Sequence, residues 1–176
     1  MMKAELQANI IETFKNLNEI LYKFSETEFN TTPSQGGWTA GQTVQHIILA
    51  CSGYPKLFKG RTEKTTRKPD KNINELESIF LDFNTKMDSP EFLKPEITNY
   101  SKNSLTLTLL NIESDLLLAA ESHDVTLTCF DFELPGFEKF TILEWINFAL
   151  IHTQRHTYQL KNIYTSLKNN PQALNR

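Results

Sequence analysis

The chain is organised around residues 151–160, which read Ile151-His152-Thr153-Gln154-Arg155-His156-Thr157-Tyr158-Gln159-Leu160. His152 and His156 are four positions apart inside a long apolar pattern, so on a helix both imidazoles point the same way, one turn above the other. Two such rings can bind one metal ion. A metal that carries out chemistry usually needs a third protein ligand and an open coordination position, so the rest of the sequence must supply that ligand.

The two histidines lie in the last predicted helix, which runs from Thr141 to about residue 168. Thr141 and Glu144 form a capping-box pattern at its start, and the apolar stripe behind it consists of Leu143, Ile146, Leu150, Leu160, Tyr164 and Leu167. The side that carries the histidines also carries Trp145, Phe148, Ala149 and Ile163, with Gln159 beside them. The pair therefore faces apolar surroundings, and Pro171 belongs to a tail beyond the helix.

A second helix offers His46 as the third ligand. Thr39 and Gln42 form another capping box just before the apolar stripe of Val44, Ile47, Ile48 and Cys51. Residues 29–55 contain no Asp, Glu, Lys or Arg, which predicts that this helix is buried on most sides. His46 is its only group that titrates near neutral pH, and it lies on the side opposite the stripe.

The remaining segments are read from their periodicity and their turn residues. Apolar spacing predicts helices at about 3–25, at about 73–87 after an Asn72 cap, and at about 101–122 with His123 as a cap. Residues 30–37 form a linker, residues 59–71 an exposed basic loop, and residues 124–140 an extended crossover that turns at Pro135-Gly136. These elements predict an all-α protein: one domain over residues 1–176, built as an antiparallel four-helix bundle with an additional short helix and the extended crossover.

Composition excludes several classes of partner and location. The net charge is −3, and Arg67-Lys68 is the longest basic run, so neither nucleic acid nor an anionic membrane surface is expected to bind. No stretch approaches ~18 consecutive apolar residues, and the N-terminal pattern is unlike a signal peptide, which predicts a cytoplasmic protein without a membrane span. Cys51 and Cys129 are too few and too far apart for a disulfide framework and are expected to be buried thiols.

An isolated pair of histidines at this spacing is more often an ordinary set of interior side chains with hydrogen-bonded partners. His46 changes that balance, because three imidazoles on two helices match the coordination of catalytic zinc sites. We therefore predict a divalent metal held by His46, His152 and His156: zinc or nickel first, with iron or manganese as alternatives. Aromatic side chains at helical spacing are more often core, but five residues are also candidates to line a pocket: Trp38, Gln42, Trp145, Phe148 and Gln159.

Two motifs resemble a known family. The run from Gly37 to His46 reads Gly-Trp-Thr, then six further residues, then His, and the run from His152 to Gln159 reads His-x-x-x-His-x-x-Gln. Together they resemble the DinB/YfiT-like superfamily. The resemblance implies a four-helix bundle, often a homodimer, with a divalent metal held by the three histidines that match His46, His152 and His156. Members of that superfamily include metal-dependent thiol S-transferases that use bacillithiol or mycothiol.

The leading hypothesis is a metal-dependent enzyme that activates a small thiol for transfer to an electrophile, or water for hydrolysis. Thr153 and Gln154 stand where the His-Glu-x-x-His proteases place a glutamate base, which disfavours a metalloprotease. Two alternatives remain: a non-catalytic bundle that binds a metal or a small ligand in response to stress, and a structural bundle that holds no metal.

Overall fold

The structure, a computed structural model, describes residues 3–169. Its elements in chain order are α1 (Lys3–Tyr22), α2 (Glu26–Phe29), α3 (Ala40–Cys51), α4 (Tyr54–Phe58), β1 (Thr62–Lys64), α5 (Ile73–Phe80), a 3-10 turn (Glu91–Leu93), α6 (Lys102–Ser122), β2 (Leu127–Cys129) and α7 (Ile142–Asn169). The protein is therefore mostly helical, in agreement with the predicted all-α class. The predicted tail around Pro171 lies outside the described residues.

The four long helices share one apolar core. α1 packs against both α6 and α7, and α3 packs against the same two helices. Each helix contributes side chains that are almost completely buried, among them Phe14, Leu17, Ile47, Leu109, Leu116, Ile146 and Leu160. This packing brings α3 against α7, so the helix that carries His46 lies beside the helix that carries His152 and His156.

Capping boxes fix the start of both histidine-bearing helices. At α3, the Gln42 amide N–H donates to Thr39 Oγ1 (3.1 Å), and the Thr39 amide N–H donates to Gln42 Oε1 (3.0 Å). At α7, the Thr141 amide N–H donates to Glu144 Oε2 (2.9 Å), and the Glu144 amide N–H donates to Thr141 Oγ1 (3.1 Å). Both predicted capping boxes are confirmed. They satisfy N–H groups that would otherwise lack partners at the first turn.

Two predicted helices end earlier than expected. α1 ends at Tyr22, and Ser25 then caps the short helix α2 through a capping box with Glu28. α5 ends at Phe80 instead of residue 87, because the Asp82 carboxylate accepts hydrogen bonds from the Asn84 amide (3.1 Å) and the Thr85 hydroxyl (2.6 Å). Such local side-chain bonds offer the backbone an alternative to the next helical turn.

The predicted cap at Asn72 is also only partly right. Asn72 occupies the N-cap position of α5, but its side chain makes no capping hydrogen bond. Its backbone N–H instead donates to Glu144 Oε1 (2.9 Å) at the start of α7. The start of α5 is thus tied to the start of α7.

A small antiparallel sheet corrects the interpretation of residues 59–71 as a loop. β1 lies inside that segment and pairs with β2, so that Thr62 stands opposite Cys129 and Lys64 opposite Leu127. The crossover after β2 turns as predicted at Pro135-Gly136: the Phe137 amide donates to the Leu134 carbonyl (3.1 Å), and Gly136 has a φ of +90°. Proline followed by a residue with positive φ is the pattern of a type II turn.

Both cysteines are buried and free, as predicted. His123 is the C-cap residue of α6, and its ring lies edge-on to Phe58 with the centroids 6.2 Å apart. In the part of the chain that the structure describes, no helix combines the length and apolar character needed to cross a membrane.

Candidate metal centre

Three histidines from two helices meet in the core between α3 and α7. His152 and His156 lie one turn apart on α7, and His46 approaches them from α3. Their exposed fractions are 4% for His46, 7% for His152 and 8% for His156. Each ring offers one nitrogen to a common centre, and these nitrogens all lie within 4.8 Å of one another. The structure therefore brings together the three residues that the sequence proposed as ligands.

The spacing of the nitrogens fits one small cation. His152 Nε2 lies 3.1 Å from His46 Nε2 and 3.1 Å from His156 Nε2. Two nitrogens bound to one tetrahedral zinc ion at ordinary bond lengths are about 3.3 Å apart. His152 Nε2 is thus already near the separation from each of the other two nitrogens that a shared ion requires.

Hydrogen bonds outside the cluster fix two of the tautomers. His46 Nδ1–H donates to the Leu93 carbonyl (2.8 Å), and His156 Nδ1–H donates to Gln159 Oε1 (2.8 Å). Because each ring carries its proton on Nδ1, each Nε2 keeps a free lone pair directed at His152. A partner on the outer nitrogen is the usual arrangement for a metal-binding histidine.

This donor set is poorly satisfied by hydrogen bonds alone. If His152 carries its proton on Nε2, that single N–H is shared between the lone pairs of His46 Nε2 and His156 Nε2. If it carries the proton on Nδ1, the Nε2 lone pairs of all three rings point at one another. His152 Nδ1 is itself buried without a hydrogen-bond partner in the described chain. A bound cation accepts all three lone pairs at once, so the residues present fit a divalent metal.

Burial keeps the three imidazoles neutral. Desolvation lowers the pKa of His46 below its ordinary value of 6.5, against the opposing effect of the Leu93 hydrogen bond. The pKa of His152 is lowered well below 6.5 by desolvation and by the two neighbouring rings. Desolvation, reinforced by His46, lowers the pKa of His156 to about 3. Neutral imidazole is the form that binds a metal, so the ligands are in the binding form at neutral pH.

The predicted pocket residues fall into two groups. Trp38 and Phe148 contact the cluster, with ring centroids 5.0 Å from His46 and 5.8 Å from His152 respectively, and Gln159 holds His156. Trp145 lies one ring further away, 5.9 Å from Phe148, and is only 1% exposed. Gln42 uses its amide for the α3 cap and for the Glu96 carbonyl (3.3 Å). In the described part of the chain, neither Trp145 nor Gln42 stacks on or hydrogen-bonds to the three histidines.

Two contributors were missed by the sequence reasoning. The Leu93 carbonyl orients His46, but a backbone carbonyl leaves no trace in the residue pattern. The second is Arg155, whose guanidinium donates to the Phe80 carbonyl (2.9 Å) and the Asp82 carbonyl (3.0 Å) at the end of α5. The only sign in the sequence that Arg155 lies near the centre is its position directly before His156.

Comparison with known proteins agrees with this geometry. A family model described as the DinB superfamily matches residues 9–160. The chain belongs to the DinB superfamily. The matched region includes all three histidines of the centre as well as Gln159, so the DinB assignment covers the whole candidate site.

Among curated proteins, this DinB chain is similar to the uncharacterized protein YuaE of Bacillus subtilis (strain 168). The two are 27% identical over 158 residues, which span 87% of this chain and 91% of YuaE. No solved structure gives a significant match.

Proposed function

We propose that this DinB protein is a metal-dependent enzyme that activates a low-molecular-weight thiol and transfers it to an electrophile. The observation that carries the proposal is the convergence of three buried imidazole nitrogens, with two tautomers fixed by outer hydrogen bonds. A divalent ion held there supplies a Lewis acid that lowers the pKa of a bound thiol or water. Zinc or nickel is our first choice, with iron or manganese as alternatives, because neutral imidazoles suit these ions.

The protein's own residues hold and orient that centre. His46, His152 and His156 supply three ligands, one fewer than a tetrahedral site takes, which leaves one position for the small molecule. Leu93 and Gln159 fix the ring orientations of His46 and His156. The rings of Trp38 and Phe148 flank the cluster on the His46 and His152 sides.

Hydrolysis is less well supported than thiol transfer. Thr153 follows the first histidine of α7, is completely buried, and leaves its hydroxyl without a partner among the described residues. Gln154 donates from its amide to Thr13 Oγ1 (3.3 Å) on α1. Neither side chain can take a proton from water at neutral pH, whereas a thiol needs only to lose its own proton.

The finer architecture follows the same family relationship. We infer that α1, α3, α6 and α7 form the antiparallel four-helix bundle that the resemblance implies. The packing of α1 and α3 against both α6 and α7 supports this arrangement. A cytoplasmic homodimer stays a prediction.

Metal content is the first test. Tag-free wild-type protein is expected to hold close to one equivalent of zinc or nickel after dialysis, and His152→Ala to hold almost none. His123→Ala is the matched control, because His123 lies at the end of α6 outside the cluster. Equal and negligible metal in all three proteins would contradict ligation.

Turnover is the second test. Metal-loaded protein is mixed with a small cytosolic thiol and a chromogenic aryl halide. In the expected reaction a carbon–sulfur bond forms, the carbon–halogen bond breaks to release halide, and the thiol proton goes to solvent. We expect product with wild type and His123→Ala and none with His152→Ala. Full metal occupancy without turnover for any thiol would favour a binding role, which the burial of all three ligands would suit.

A further inference from the structure

Residues 81–99, which make up most of the segment between α5 and α6, pass over the His46 side of the centre, and we call them the strap. Only Pro95 in the strap is buried. Two of its large apolar side chains face outwards, with Phe92 68% and Ile97 98% exposed. At its start, Leu81 packs against the core and the Phe83 ring stacks on Tyr158 of α7 with the centroids 4.2 Å apart. Apolar contacts therefore attach mainly the start of the strap and Pro95, and the middle of the strap is held chiefly by polar contacts.

Arg155 makes the first group of these contacts. Its guanidinium donates to the carbonyls of Phe80 (2.9 Å) and Asp82 (3.0 Å), and also to the carbonyl of Thr85. These carbonyls lie at the end of α5 and the start of the strap. The C-terminal end of a helix carries partial negative charge, which also attracts the guanidinium cation. One side chain of α7, next to the ligand His156, thus holds the beginning of the strap.

The middle of the strap is attached to α3 at the centre itself. The Leu93 carbonyl accepts from His46 Nδ1, Ser89 Oγ lies 3.5 Å from the same nitrogen, and the Glu96 carbonyl accepts from Gln42 Nε2. Beyond the strap, the Tyr100 backbone exchanges two hydrogen bonds with the Asn30 side chain, of 2.7 and 2.9 Å. The bond that orients a ligand of the centre is therefore also a bond that closes the strap.

We infer that the strap is a gate over the metal centre and that Arg155 is the positioning residue that latches it. The inference rests on the proposed metal site. The three ligands are at most 8% exposed, so an ion or a substrate can reach them only if a covering element moves. Only one residue of the strap is buried, and loss of the Arg155 hydrogen bonds leaves the packing of Leu81 and the stack of Phe83 on Tyr158 to hold the segment that leads to Leu93. Opening then also removes the bond that orients His46.

The test uses zinc as the probe and the full chain. The zinc-loaded protein is mixed with excess chelator, and the rate of zinc release is followed together with hydrogen exchange of the strap amides. Arg155→Gln is expected to release zinc at least ~10-fold faster, since it loses several charge-assisted hydrogen bonds. Arg155→Lys keeps the positive charge but loses the paired N–H groups of the guanidinium. Its rate of zinc release should lie between those of wild type and Arg155→Gln. Lys161→Gln is the charge-matched control on an exposed position of α7 and should behave as wild type.

The exchange readout separates a latch from a merely structural role. In Arg155→Gln, amides 81–99 should exchange faster while those of α1 and α6 keep wild-type rates. Equal zinc release in wild type and Arg155→Gln, or faster exchange throughout the chain, would overturn the gate and leave the metal site standing. A wild-type protein that holds no zinc would overturn the metal site and the gate together.

Discussion

His46 Nε2 lies 3.1 Å from His152 Nε2, although the two residues are 106 positions apart in the sequence. The contact joins α3 to α7 across the core, and both rings are more than nine-tenths buried. A metal bound between them would therefore link two helices that otherwise touch mainly through apolar packing. Metal binding to such a site adds directly to the free energy of folding.

Zinc should accordingly stabilise the protein against heat. Zinc at about 100 times its dissociation constant adds about 2.7 kcal/mol to the free energy of unfolding, which raises Tm by several degrees for a domain of this size. Differential scanning calorimetry of metal-free protein with and without zinc measures the shift. We expect the shift in wild type and His123→Ala, and its loss in His46→Ala. A shift of equal size in His46→Ala would place the zinc elsewhere.

Gln159 should control metal affinity through His156. Gln159→Leu removes the oxygen that accepts from His156 Nδ1–H at 2.8 Å, so the ring loses its orientation and zinc affinity should fall about 10- to 100-fold. Gln159→Glu keeps an acceptor at that position and should retain the affinity. Competition with a zinc-binding dye measures both, with Asn162→Leu as a control on an exposed position of the same helix. Equal affinity in Gln159→Leu and wild type would show that the hydrogen bond does not matter.

The parts of the fold that depend on neighbouring residues could be predicted from the sequence. The boxes of Thr39 with Gln42 and of Thr141 with Glu144 are four-residue patterns, and the pairing of His152 with His156 follows from one helical turn. The box at Ser25 and Glu28 has the same signature and was missed, because the periodicity of α1 was extended across it. The capping residues of α2 were present in the sequence, but Ser25 was assigned to the end of α1.

Contacts between distant segments could not be predicted in the same way. β1 has three residues, two of them charged, and becomes a strand only because β2 lies beside it. The bond from His46 to Leu93 uses a carbonyl that every residue possesses, so its selection depends on where the strap passes. Tertiary packing decides such contacts, and the single sequence carries no signal for them.

Acid should weaken the attachment of α2 to α7. Hydrogen bonds from the Lys168 ammonium and the Ser25 backbone lower the pKa of Glu28 from 4.5 to about 2. A lowered folded-state pKa gives stability that is present above the unfolded pKa of 4.5 and is lost as the pH falls towards 2. The Lys168 side chain is 49% exposed, so solvent screening reduces the contribution of Glu28 to about 1–2 kcal/mol.

Urea unfolding between about pH 5 and pH 2 tests this contribution. Wild type should lose about 1–2 kcal/mol more of its unfolding free energy over this interval than Glu28→Gln, because the amide cannot titrate. Glu19→Gln, an exposed position on α1, should follow the wild-type curve. Parallel curves for wild type and Glu28→Gln would mean that the Glu28 carboxylate contributes nothing to the acid sensitivity.

The buried ion pair at the start of α7 should be the most sensitive polar contact in the fold. The Arg67 guanidinium donates to both oxygens of Glu144, at 2.8 and 2.7 Å, and the Glu144 side chain is 0% exposed. The same carboxylate accepts from the backbone amides of Asn72 and Thr141. Glu144→Ala leaves Arg67 and two amides without their acceptor and should cost about 3–5 kcal/mol of unfolding free energy.

A double-mutant cycle separates the pair from its surroundings. Arg67→Met leaves Glu144 with its backbone donors but without its cation, whereas Arg67→Met combined with Glu144→Leu removes both charges from a site that excludes water. The combined variant should therefore be less destabilised than the sum of the single variants, by about 1–3 kcal/mol. Urea unfolding measures the cycle, and the exposed pair of Lys3 with Glu121, whose side chains are 48% and 59% exposed, should show much weaker coupling. Additive effects at Arg67 and Glu144 would mean that Glu144 stabilises α7 through its cap and the Asn72 amide alone.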